Sequence, residues 1–155
     1  MKECPFCSLS AEERRWLLYE NEFWSVYLAD RQDYPGRCIV VCRSHVESIT
    51  ALSAEQWMSL HAVMTAAETM LCGVLGASMC NWSCLLNDAY KSDPPVPHVH
   101  FHCRPRYARP LRIGGEAFTD TRFAHHYENN APQALSPDAA QALFSLLKAF
   151  VPAFF

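Results

Sequence analysis

Residues 97–107 read Pro-His-Val-His-Phe-His-Cys-Arg-Pro-Arg-Tyr (PHVHFHCRPRY), with histidines at 98, 100 and 102 and apolar Val99, Phe101 and Cys103 between them. Side chains alternate between the two faces of a β-strand, so this spacing predicts a strand over Pro97–Tyr107. Its three imidazoles share one face, neighbours roughly 6.6 Å apart by the strand rise. The apolar set faces a core. A helix would scatter the histidines around its circumference. A strand carrying three imidazoles can be a metal site alone or only a polar strand face, because histidine is a common metal ligand. The basic residues beside the row, Arg104 and Arg106, favour chemistry on a phosphate ester, in which one imidazole attacks, a second acts as acid and a cation offsets charge.

The chain around this strand reads as one domain spanning 1–155. Half of its 155 residues are apolar and 12% are aromatic, which excludes a disordered chain and is enough for a real core. The formal net charge is −3, with a pI near 6.1, which argues against a general nucleic-acid binder. There is no run of eighteen apolar residues and no charged-then-apolar start. The expectation is a soluble, cytoplasmic protein without a membrane partner. Eight cysteines in such a chain read as reduced thiols and a metal site rather than a disulfide scaffold.

Upstream, Cys4-Pro5-Phe6-Cys7 is a CxxC knuckle whose spacing lets two thiolates reach one tetrahedral zinc. By itself it is half a site, and redox or incidental readings remain open. Ser10 with Glu13 predicts a capping box and a short helix carrying Trp16 and Leu17 inward. Phe23–Ala29 and Arg37–Cys42 read as strands, with Asp30 ending the first and Pro35-Gly36 a turn between them. Ser53 and Gln56 form a second box, opening a long helix over Ala54–Leu75 that Gly76 stops. Its methionines fill core gaps, and its His61 is a surface residue. Cys80–Leu86 is a third strand, which Asn87 and Asp88 end. From 108 to 132 periodicity is weak, with a turn at Gly114-Gly115 and an exposed pair at His125 and His126. Ser136-Pro137-Asp138 starts a C-terminal helix with Ala140, Leu143, Phe144, Leu147 and Phe150 on its apolar face. The terminal Phe154-Phe155 would pack on the core or on a second subunit. Together these elements make an α+β fold, an antiparallel sheet with helices segregated to one face.

HVHFHCR followed by Pro105-Arg106 resembles the signature of the HIT (histidine triad) superfamily. The run from Tyr27 to Ser53 and the position of Asn87, eleven residues before His98, resemble it too. The likeness covers roughly residues 1–107, and the last third carries little of it. It implies a HIT-like fold pairing as a two-fold homodimer. It implies His100 as nucleophile on the α-phosphorus of a nucleotide, usually an adenine nucleotide, and His102 as acid toward the leaving group. It implies nucleotide contacts from Asp30, Asn87, His98, His100 and His102, and a structural zinc on Cys4, Cys7, His45 and His98. The implied function is hydrolysis of nucleoside phosphoramidates or dinucleoside polyphosphates. A nucleotidyltransferase, a nucleotide-binding protein with little turnover and a purely structural zinc module are the rivals. Two departures stand out. Asp93-Pro94-Pro95-Val96 replaces the family's phosphate-holding Gly-Gln-Ser/Thr, and proline offers no backbone N–H. Arg104 replaces a customary apolar residue and is expected to supply positive charge to the nucleotide.

Overall fold

The computed structural model describes residues 4–127 and 134–151. Five antiparallel strands form the main sheet: β1 (Leu17–Glu20), β2 (Trp24–Leu28), β3 (Cys38–Cys42), β4 (Met79–Ser83) and β5 (His100–Arg106). Their spatial order is β1-β2-β3-β5-β4, which puts the histidine strand between β3 and β4. Period-two packing explains the choice. Trp24, Val26, Cys38, Val40, Val99 and Cys103 are completely buried and belong to the core cluster, while His100 and His102 stand on the opposite face, half-buried.

Helix α1 (Ala54–Leu75) covers the apolar face with Leu60, Val63, Ala67, Met70, Leu71 and Leu75. Both halves of its capping box form: Ser53 Oγ accepts from Gln56 N at 3.1 Å, and Gln56 Oε1 accepts from Ser53 N at 2.8 Å. At the other end Gly76, with φ of 70°, donates to the Leu71 and Cys72 carbonyls. A positive φ favours glycine there, because a Cβ would crowd the backbone. By length and composition α1 is apolar enough to cross a membrane, yet its apolar stripe packs on the sheet. Helix α2 (Pro137–Phe150) starts where Ser136 Oγ accepts from Ala139 N at 3.3 Å. It buries Ala139, Ala140, Leu143 and Leu147 and packs against α1, β1 and the first strand of a hairpin, β6 (Leu111–Ile113) with β7 (Glu116–Phe118).

The expected α+β architecture and antiparallel sheet are present, with local differences. The capping box at Ser10 and Glu13 forms, at 2.8 and 3.3 Å, but it opens only a 3-10 turn over Glu13–Trp16. Leu17 then enters β1, an unexpected strand whose pairing with β2 is broken by an irregularity between Leu17 and Tyr19. The third strand ends at Ser83, and Asn87 begins a 3-10 turn over Asn87–Lys91. The ladder of β5 begins at His100, so His98 precedes it. His61, His125 and His126 are exposed, as expected. Phe154 and Phe155 lie outside the described residues.

Candidate functional site

His98, His100 and His102 line one cavity of about 680 Å³, together with Pro5, Phe6, Arg37, Ile39, Asn87, Asp88 and Ser92. The strand register builds it: His100 lies opposite Val41 and His102 opposite Ile39 on β3, while Ser83 of β4 pairs with His102 and leads the chain into the turn that carries Asn87 and Asp88.

Hydrogen bonds set the tautomers, because a carbonyl can only accept. His98 Nε2 donates to the Cys42 carbonyl at 2.7 Å, leaving Nδ1 as its lone-pair nitrogen. His100 Nδ1 donates to the His98 carbonyl at 2.8 Å, leaving Nε2 with the lone pair on a ring that lines the cavity. The His100 and His102 rings stand edge to face, 5.0 Å between centroids. Burial pushes His100 below the ordinary histidine range. His102 falls to about 4, first through burial and then through the charges of His100, Arg37 and Arg104. Both shifts favour the neutral ring.

The Cys4–Cys7 knuckle meets His98, just ahead of β5. Cys4 Sγ is 3.2 Å and Cys7 Sγ 3.6 Å from His98 Nδ1, and Cys7 Sγ is 3.4 Å from His45 Nδ1. The ligand atoms of Cys4, Cys7, His45 and His98 all lie within 4.8 Å of one another, so these four form a possible metal-binding group. The surroundings fit a tetrahedral Cys₂His₂ centre. The second nitrogen of His98 is held by a carbonyl, and Glu47 Oε1 lies 3.6 Å from His45 Nε2, the outer-shell partners that orient ligating histidines. Phe6, carried between the two cysteines, rests 4.6 Å from the His100 ring centre and 5.4 Å from that of His98.

The family model of the HIT domain matches residues 10–109. The chain belongs to the HIT domain family. Solved structures with this HIT fold include a hypothetical histidine triad nucleotide-binding protein from Sulfolobus tokodaii strain 7, at TM-score 0.70 and 14% identity, covering 97% of this chain and 93% of that one. A Zn-bound histidine triad family protein from Mycobacterium smegmatis follows at TM-score 0.60 and 19% identity, covering 97% and 96%. A uridylyltransferase matches at TM-score 0.67 and 15% identity, covering 98% of this chain and 46% of its own. A search of curated proteins finds no match.

Within this HIT domain the cavity gathers Asn87 and all three histidines, but not every expected nucleotide contact. Asp30 lies on a smaller neighbouring cavity of about 140 Å³ that shares Phe6 and Ile39 with the first; its carboxylate is 85% exposed and 3.8 Å from Arg15. Arg104 is buried behind the wall, with its guanidinium 3.6 Å from the Tyr127 ring centre. The cation on the wall is Arg37, which the sequence reading treated only as the start of a strand. It shares the face of Ile39 and Val41 at period two, but its alignment beside His102 needs the pairing of β3 with β5.

Proposed function

We propose that this HIT protein is a nucleotide hydrolase, cleaving nucleoside phosphoramidates or dinucleoside polyphosphates at the α-phosphorus through a nucleotidyl-histidine intermediate. The observation that carries this reading is the His100 tautomer. Its Nδ1 proton is committed to the His98 carbonyl at 2.8 Å, so Nε2 is a neutral nucleophile on the cavity wall. Nε2 attacks phosphorus. The bond to the bridging oxygen or nitrogen breaks, its electron pair leaves with that atom, and His102, protonated once the anionic substrate lies beside it, delivers a proton there. Water then attacks phosphorus and the phosphorus–nitrogen bond returns its pair to His100. The proton of that water restores His102, and the nucleoside monophosphate departs.

Asn87 and Ser92 on the rim take the place of the amides that Pro94 and Pro95 lack in holding the phosphate. Asp30, on the adjoining cavity, receives the ribose hydroxyls, and adenine is the base. The metal of the knuckle is zinc, held by Cys4, Cys7, His45 and His98; its four protein ligands leave no open position, so it supplies a structural cross-link between the knuckle and the triad strand. All eight cysteines are free, which suits a reducing cytoplasm. A homodimer is supported by the apolar side chains left exposed, Trp57 at 42%, Met58 at 71% and Leu85 at 48%; light scattering tests it.

The deciding experiment follows AMP release from adenosine phosphoramidate and diadenosine polyphosphate by wild type and His100→Ala. Release by wild type and none by the variant is the expected result. Equal turnover by both sinks the nucleophile assignment. Substrate consumed by wild type only when a second acceptor is supplied, with the nucleotidyl group found on that acceptor, identifies a transferase, which shares the first step.

A further inference from the structure

Beside His102 lies a cluster of charge that the two-step reaction leaves unused. Asp33 is completely buried, with Oδ1 accepting from Arg37 Nη1 at 3.0 Å and Oδ2 lying 3.9 Å from Arg104 Nη2. Arg37 is 20% exposed through its side chain and Arg104 8%. Two guanidiniums thus share one carboxylate, which leaves one positive charge uncompensated in a half-desolvated wall, a costly arrangement without an anion. Among the described residues, the buried side-chain polar atoms without a hydrogen-bond partner are Trp16 Nε1 and four atoms of this one place: Asp33 Oδ2, Arg37 Nε, Arg104 Nε and His102 Nδ1. Buried polar atoms are normally paired, so such a concentration marks a place built to receive something.

Its position says what. Cys38 pairs with Cys103 and Ile39 with His102, so Arg37 and Arg104 stand one alternate step beyond His102, away from His100. In-line attack by His100 expels the leaving group on the far side of phosphorus, toward His102, and the next group along that line is the Arg37 cation. The loop carrying Arg37 is rigid. Buried Gln32 donates to the Ala29 and Arg37 carbonyls at 2.6 and 3.0 Å and accepts from Gly36 N at 2.8 Å. The other charged wall residue, Asp88, lies on the β4 side of β5 and is ion-paired with Lys91.

We propose that Arg37, backed by Arg104 and held by Asp33, is an anion subsite for the phosphate group beyond the α-phosphorus, so that this protein prefers nucleotides with an anionic phosphoanhydride leaving group to those with an amine. The inference rests on the hydrolase reading above for the word leaving group, but the subsite itself is a matter of binding. An anion here also offsets the two guanidiniums that disfavour protonated His102, so the preferred substrate brings its own acid into the charged state.

The test compares AMP and ADP binding by calorimetry in wild type, Arg37→Met and Arg37→Lys, at fixed ionic strength. Wild type is expected to bind ADP about tenfold to a hundredfold tighter than AMP, the range of a charge-assisted hydrogen bond. Arg37→Met should bring that ratio near one, and Arg37→Lys should recover part of it. Because Arg37→Met strands a buried carboxylate, its melting curve is recorded, and Arg37→Met/Asp33→Asn is measured beside it. A wild-type ratio near one, or a ratio that survives in both Met variants, overturns the subsite. In turnover, the ratio of kcat/KM for diadenosine polyphosphate to that for adenosine phosphoramidate should fall at least about tenfold in Arg37→Met. Wild type that hydrolyses neither substrate yet shows the ADP preference refutes the hydrolase and leaves the subsite standing.

Discussion

Replacing Arg106 by Met should cost this fold a large share of its stability. Arg106 and Asp120 are each 1% exposed through their side chains and paired twice, Nε to Oδ2 at 2.6 Å and Nη2 to Oδ1 at 3.1 Å. The guanidinium also donates from Nη1 to the His125 carbonyl at 2.9 Å and from Nη2 to the Arg122 carbonyl. The substitution therefore takes the cation from a buried carboxylate, leaving it only the Tyr107 and Arg122 amides, and removes the donor from two carbonyls. Removing one member of a buried pair costs about 3–5 kcal/mol. In a domain of this size that is a fall in Tm of roughly 10 °C. Urea unfolding of wild type, Arg106→Met, Asp120→Asn and the double variant Arg106→Met/Asp120→Leu measures it. Both single variants should lose stability on this scale, and the double variant should recover much of the loss, since an apolar pair leaves no unpaired charge. A loss below about 1 kcal/mol in Arg106→Met would refute the reasoning, because it would mean that water reaches Asp120.

Three further outcomes are expected. By NMR, His102 should titrate near 4 in the metal-loaded, ligand-free protein; its depressed value means that the unfolded chain binds the proton more readily, so its contribution to stability is lost as pH falls from about 6.5 toward 4, and titration near 6.5 would contradict the burial. X-ray absorption of the zinc-loaded protein should give two sulfur neighbours at about 2.3 Å and two nitrogen neighbours at about 2.0–2.1 Å; Cys4→Ser should abolish uptake, and a nitrogen–oxygen shell would place zinc elsewhere. Gly36→Ala should destabilise by about 1–3 kcal/mol, because φ is +88° there and a Cβ would stand 2.6 Å from Leu71 and 2.8 Å from Leu75; wild-type thermal stability would show that the loop can move aside.

What was legible in the sequence followed from how many residues repeat a pattern. The 22 residues of α1 carry a stripe, a capping box and a stopping glycine, three independent signals for one element, and its bounds agree with the reading. The alternation through β5 put His100 and His102 on one face, and the same period carried back to His98 just before the strand. Elements too short to repeat were not legible: β1 has four residues and an irregular register, and β6 and β7 have three each. The hairpin was visible only as Gly114-Gly115.

The site divides along the same line. Whatever lies on one strand or one turn, such as the alternating histidines and the knuckle, could be read from spacing, while Asn87 came from the resemblance to the family. What depends on the pairing of two strands could not. Arg37 and His102 are neighbours because Ile39 pairs with His102, and a shift of that register by one residue would turn Arg37 away from the cavity and bring Cys38 to it. The same register sets Arg104, the conspicuous cation of the motif, level with Arg37, yet only Arg37 lines the cavity. Two guanidiniums side by side on neighbouring strands repel, and the arrangement observed separates their tasks. Arg104 places its charge on the face of Tyr127, 3.6 Å away, and beside Asp33, while Arg37 is hydrogen-bonded to Asp33 through Nη1 and lines the cavity. A motif read along one strand pointed to Arg104, whereas the arginine that lines the cavity is Arg37, because sequence order cannot tell which of two paired arginines faces it.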